Sequence, residues 1–235
     1  MASILCIETS TVNCSVALSR EESLFERQSC AGNDHAAKIA VFIDEVLREA
    51  ALRPEDLDAV AVGKGPGSYT GLRIGVATAK GLAYALQKPL MSVSPLQAMA
   101  WEAVSRLRKT GDVPADALFC PMTDAGRMEV YSAFYNLALE EVRGVQADIV
   151  EAGCYHEYLA ARPVYFFGNG AEKCKAVLGV ETHARFMDGI VPEARSMAAL
   201  AQQAFRDGRF EDTAYFEPFY LKDFKAGKPH VKGLD

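Results

Sequence analysis

The densest run of residues able to do chemistry is Gly63-Lys64-Gly65-Pro66-Gly67-Ser68-Tyr69-Thr70-Gly71-Leu72-Arg73, which joins an apolar segment to a helical one. A glycine-rich turn that feeds a helix N-terminus exposes backbone N–H groups and the positive end of a helix dipole, where anions bind. The run fits neither standard phosphate loop. A P-loop has four residues between its glycines and then Lys and Ser or Thr; here five separate Gly65 from Gly71, and Leu72-Arg73 follow. In a dinucleotide-binding frame that starts at Gly63, Ser68 takes the place of the third glycine. The competing reading is that the glycines supply left-handed corners and let a helix pack closely on a sheet.

Glu8 ends the first apolar run, where a strand-end carboxylate could hold a magnesium ion or a water in a nucleotide-binding lobe. Ser10 and Gly67 are the accompanying weak candidates for cofactor contact. The turn after Glu8, Thr9-Ser10-Thr11-Val12-Asn13, lacks the glycine that phosphate-gripping turns use. Asp124, Arg127 and Glu129 form another polar cluster, which a surface ion pair explains equally well. His35, His156, His183 and His230 are far apart, with no His-x-x-x-His pair to set two imidazoles on one helix face, so no metal is expected. Cys6, Cys14, Cys30, Cys120, Cys154 and Cys174 are scattered without zinc-knuckle or redox spacing and read as reduced thiols.

The elements that must position these groups follow from periodicity. Ser3 to Ile7 and Ser15 to Leu18 are apolar runs around the polar turn and predict a hairpin; Ser23 to Cys30 predicts a third strand. Asn33 and Asp34 offer a helix cap, and Ala37, Ile39, Ala40, Ile43, Val46, Leu47 and Ala50 recur at helical spacing. Strand Leu57 to Val62, a helix from about Gly71 to Leu86, strand Pro89 to Val93 and helix Pro95 to Leu107 complete the first half. After a loop at Gly111, Asp112 and Pro114, strands at 117–123, 129–136 and 145–150, a short helix at 155–160, a strand at 164–167, a helix at 171–178, a strand at 183–187 and a helix at 196–206 repeat the order. Two copies of a meander followed by alternating helices and strands imply an α/β, actin-like (ASKHA) fold. It has two similar lobes, residues 1–108 and 109–235, each a mixed sheet flanked by helices.

The chain has 235 residues, 50% hydrophobic and 24% charged, which suits a packed globular protein and excludes disorder. Its 25 Lys and Arg against 31 Asp and Glu give a net charge of −6, which disfavours autonomous binding to nucleic acid. Only Lys222, Lys225, Lys228, His230 and Lys232 make a small basic tail. There is no signal peptide and no apolar run of about 20 residues, so a cytoplasmic protein that does not contact the membrane is expected. The helix around 71–86 carries Gly75, Ala77, Ala79, Gly81, Ala83 and Ala85, with Arg73 and Lys80 as its only charges. An amphipathic helix turns a polar stripe to water. This one has almost none, and the preceding helix has a widened apolar arc, so a contact with another chain is expected over 36–50 and 71–86.

Several motifs, in order from Ile4 to Lys222, resemble one known family. Ile4-Leu5-Cys6-Ile7-Glu8-Thr9-Ser10 is similar to its opening strand, and Gly65 to Gly75 to its glycine signature. Asp124 to Tyr131 is similar to its Asp-Ala-Arg-Arg-x-Glu-Val-Tyr strand, Gly168-Asn169-Gly170-Ala171 to its late glycine turn, and Pro218-Phe219-Tyr220-Leu221-Lys222 to its closing Pro-x-Tyr-Leu-Arg. The family is bacterial TsaB, also called YeaZ. Three positions depart from it: Glu8 replaces Asp, Gly126 replaces an Arg, and His35-Ala36 stands for His-Ser.

The resemblance implies an actin-like subunit with no catalysis of its own. Such a subunit pairs with the metal-containing paralogue TsaD and the ATPase TsaE, which together attach a threonylcarbamoyl group to the adenosine next to the anticodon. It implies that ATP is used by the complex, that tRNA is reached through the complex, and that the first two helices bind TsaD or, without it, form a homodimer. The contact set expected here is Ala36, Ile39, Ala40 and Ile43 on the first helix and Leu72, Gly75, Val76, Ala79, Leu82 and Ala83 on the second. The rival readings are an actin-like small-molecule kinase using Glu8 with ATP and magnesium, and a peptidase-like relative.

Overall fold

The computed structural model describes residues 2–30, 35–111 and 113–222. Its first half runs β1 (Ile4–Glu8), β2 (Cys14–Arg20), β3 (Ser23–Ser29), α1 (His35–Glu49), β4 (Ala59–Gly63), α2 (Tyr69–Leu86), β5 (Leu90–Val93) and α3 (Pro95–Thr110). The strands form one sheet in the order β3-β2-β1-β4-β5, with β1, β4 and β5 parallel and the meander antiparallel. β1 and β4 are buried along their whole length, which is why they read as continuous apolar runs without alternation.

The second half repeats the plan with β6 (Leu118–Asp124), β7 (Glu129–Tyr135), β8 (Glu141–Ile149), α4 (His156–Leu159), β9 (Val164–Phe167), α5 (Lys175–Leu178), β10 (Ala184–Phe186) and α6 (Ala194–Arg206). Its sheet order, β10-β9-β6-β7-β8, is the first sheet's order read from the other edge. This is the two-lobe, mixed-sheet, actin-like architecture.

Differences from the expected elements have local causes. α2 starts at Tyr69 because the Ser68 hydroxyl caps it, accepting the Gly71 N–H. β8 starts at Glu141, ahead of the apolar residues, since charged Glu141 and Arg143 on an edge strand hide its alternation. Segment 171–178 splits into a 3-10 turn, Glu172–Cys174, and α5. The expected cap at Asn33 and Asp34 lies outside the described residues, as do Asp112 of the boundary loop and the tail residues Lys225, Lys228, His230 and Lys232.

The cores interlock. One face of the first sheet is covered by α1 and α2, through Ile39, Ile43, Val46, Val76 and Ala79. The other face is covered by α6, the last helix of the second half, through Ala194, Met197, Ala201 and Ala204. In turn α3, the last helix of the first half, packs Leu96, Met99, Ala103 and Val104 on Phe119, Ala133 and Phe167 of the second sheet. The boundary drawn after residue 108 falls inside α3 and separates the sheets rather than the cores.

Candidate functional site

Two of the sequence motifs meet at the end of β1. The Thr9 hydroxyl donates to Gly71 O at 2.8 Å, the Ser68 N–H to Ser10 O at 2.7 Å, and the Ser10 N–H to the Glu8 carboxylate at 2.5 Å. A Cβ on Gly63 would stand 2.0 Å from Glu8 Oε2, on Gly67 2.3 Å from Ser10 O, on Gly71 2.1 Å from Thr9 O, and on Gly75 2.2 Å from Thr9 Oγ1. Real Cβ atoms do not approach so closely, so these four glycines exist to seat Glu8-Thr9-Ser10 against the loop and α2. The close-packing reading of the glycine run is therefore the one the structure supports.

Glu8 is fully buried, and burial pushes its carboxyl above the usual carboxylate range. Its Oε2 has no hydrogen-bond partner and lies against Gly63. A carboxyl walled off in this way has no open path to a cation, which counts against Glu8 as a magnesium candidate. Ser10 and Gly67 instead help wall a cleft of roughly 650 Å³ between the lobes, opposite Thr123, Asp124 and Asn169. Thr123 Oγ1 is buried without a partner. Asp124 accepts from Lys173 Nζ at 2.5 Å and from the Gly126 N–H at 2.8 Å; burial opposes its ionisation, but these bonds hold it below its ordinary pKa. Among the described residues no Lys or Arg lines the cleft. The residues of the glycine run that line the cleft, Gly67, Ser68, Thr70 and Gly71, come from the turn that packs against Thr9 and Ser10.

Of Asp124, Arg127 and Glu129, Lys173 Nζ ties the Asp124 carboxylate to the Glu129 carbonyl, and Arg127 stands apart. Asp124 pairs with Lys173, Glu129 pairs with Lys222, and Arg127 is exposed at φ 48°. Of the histidines, His35 is bonded to Thr11 O and His183 to Leu159 O, each at 2.8 Å. Among the described residues no three His, Cys, Asp or Glu side chains could share a metal ion.

The expected docking set needs correction residue by residue. Ile39, Ile43, Leu72, Gly75, Val76, Ala79 and Ala83 are buried inside the chain, and Leu82 is half-buried against the same core. They follow the apolar period that faces the sheet, and Gly75 serves Thr9 rather than a partner backbone. Ala36 and Ala40 do face solvent. Ala37 and Val41 on α1 are exposed with them, as are Ala77, Gly81, Tyr84 and Ala85 on the neighbouring α2, an apolar ridge on each helix; Tyr84 is 82% exposed, and a Cβ on Gly81 would meet nothing within 4 Å. Helical periodicity groups these small residues on one face of each helix, but only the packing shows that this face is the outward one. Sequence reasoning had no signal for the strap of chain after α6, which crosses α2 and is held by Lys80.

A family model described as tRNA N6-adenosine threonylcarbamoyltransferase, TsaD, matches residues 28–229. The chain is 31% identical, over 96% of each sequence, to the tRNA threonylcarbamoyladenosine biosynthesis protein TsaB of Escherichia coli K12. It is 34% identical, over 74% of each, to the protein of the same name in Bacillus subtilis 168. Among solved structures, YeaZ from Pseudomonas aeruginosa superposes with a TM-score of 0.78 at 29% identity, over 94% of this chain and 100% of that one.

Proposed function

Because the chain belongs to the TsaB family of tRNA threonylcarbamoyladenosine biosynthesis proteins, we propose that it serves that pathway as a non-catalytic subunit docking TsaD through α1 and α2. The observation that carries the docking role is the ridge. Two neighbouring helices present Ala36, Ala37, Ala40, Val41, Ala77, Gly81 and Ala85 to water, with exposed charge confined to Arg73 at the start of α2 and to Asp44, Arg48 and Glu49 in the last turns of α1. Small side chains let a partner helix approach closely, and exposed Tyr84 supplies an aromatic anchor at the border.

In this reading the transfer chemistry belongs to TsaD and ATP turnover to TsaE. The lone chain pairs with a second copy through the same ridge, tRNA is engaged by the assembled complex, and the work is done in the cytoplasm. The first-strand carboxyl of Glu8 is sealed behind Gly63 and packs the fold, which supports placing the chemistry on another subunit. The test is reconstitution. TsaD and TsaE with tRNA and a threonylcarbamoyl donor should modify tRNA only when this chain is added; equal modification without it defeats the reading.

A further inference from the structure

The docking reading leaves Pro218-Phe219-Tyr220-Leu221-Lys222 unused, and these residues end the strap that follows α6. The strap starts on the free edge of β5, where the Glu211 N–H donates to Leu90 O at 2.8 Å and the Ser92 hydroxyl to the Glu211 carboxylate at 2.5 Å. It crosses α2 under the Lys80 ammonium, which donates to Ala214 O at 3.1 Å and Phe216 O at 2.9 Å. It then lies on the glycine loop. The Phe219 N–H donates to Lys64 O at 2.7 Å, and a Cβ on Gly65 would stand 2.9 Å from Phe219 O. The Tyr220 ring packs 4.9 Å from that of Tyr69, the first residue of α2. Two residues later the chain changes lobes: Lys222 pairs with Glu129 at the start of β7 and lies 5.8 Å over the Tyr131 ring.

We propose that Pro218–Lys222 is an inter-lobe clasp. Tyr220 holds the glycine loop and the start of α2 on one lobe, Lys222 holds the start of β7 on the other, and together they set the width of the cleft. The residues held, Tyr69 on one side and Glu129 and Tyr131 on the other, adjoin or belong to the cleft's opposite walls, which carry Ser68 and Thr70 on one lobe and Asp124, Gly126 and Tyr131 on the other. A tie between opposite walls acts on the gap itself, whereas an ion pair within one lobe would not. The Lys222 end is electrostatic and accepts any long cation; the Tyr220 end is a tilted ring–ring contact, 36° between planes, and needs a ring.

The test is hydrogen–deuterium exchange on the full chain alone, so it does not depend on the docking reading. Lys222→Glu, which sets two carboxylates face to face, should speed exchange by about two- to fivefold, the range an exposed ion pair is worth. The acceleration should appear at 129–131 and also across the cleft at 67–71, while Lys222→Arg exchanges like the native chain. The swap Lys222→Glu with Glu129→Lys should restore both segments, and Tyr220→Ala should loosen both. Acceleration confined to 129–131 in Lys222→Glu, or an unchanged pattern in Tyr220→Ala, overturns the clasp.

Discussion

Gly75 shows how much of the site is decided by single atoms. Its α-carbon faces Thr9 across the junction of α2 and β1, and a methyl there would sit 2.2 Å from the Thr9 hydroxyl but 3.4 Å from Thr9 Cβ. Gly75→Ala should therefore cost about 1–3 kcal/mol, as overpacking does, and Thr9→Ala in the same chain should recover most of it. Gly71→Ala, which meets the Thr9 backbone carbonyl, should have no such rescue. Urea denaturation of the four variants checks the set. Two carboxyls should give opposite pH signatures. Burial raises Glu8, so the folded state holds that proton more tightly, and its contribution is complete below the ordinary carboxylate pKa and lost as pH rises through the raised value. Asp148 is also opposed by burial, but hydrogen bonds from Arg143 at 2.6 Å, Ser132 at 2.5 Å and Tyr155 at 2.7 Å hold it low. Its contribution is present above the ordinary Asp pKa and lost as pH falls through the lowered one. Thermal melts from about pH 3 to pH 8 should show Glu8→Gln gaining on the native chain as pH rises. Asp148→Asn, which strands Arg143, should fall behind the native chain by up to about 3 kcal/mol at neutral pH and close the gap on acidification. The sequence marked Glu8 and the glycines as special. It could not show that they face one another, because the contacts span more than fifty residues.

At the scale of elements, α2 has three distinct faces. Val76, Ala79 and Ala83 pack on the sheet, Lys80 holds the strap, and Ala77, Gly81 and Ala85 face solvent. Gly81→Arg therefore has room for its side chain and leaves the core untouched, and replacing a mid-helix glycine should hold or raise stability by about 0.5–1 kcal/mol. The same substitution places a charge in the middle of the ridge. It should abolish co-elution with TsaD and self-association without lowering the melting temperature; retained co-elution would remove the ridge from the interface. The apolar excess of this helix was legible from composition. Which residues it exposed was not, since a period of 3.6 places residues on faces but does not say which face meets the sheet.

In the whole molecule, each lobe is finished by the other half's last helix. Met197 and Ala201 of α6 are fully buried on the face of the first sheet that carries Ile4, Cys6, Ala59 and Met91. A chain ending at residue 193 should therefore lose cooperative unfolding and bind a hydrophobic dye, while the full chain unfolds in a single transition; a sharp melt from the shortened chain would show that the first lobe closes without α6. Nearly every strand and helix, their repeated order and the two-sheet plan were determined by the sequence alone, because hydrophobic period, glycine and cap residues act within a few positions of one another. The exchange of α3 and α6 between lobes, the outward ridge, the sealed carboxyl of Glu8 and the path of the strap were decided only by tertiary structure. Each depends on which distant surfaces bury one another most completely, and that competition is settled when the whole chain packs.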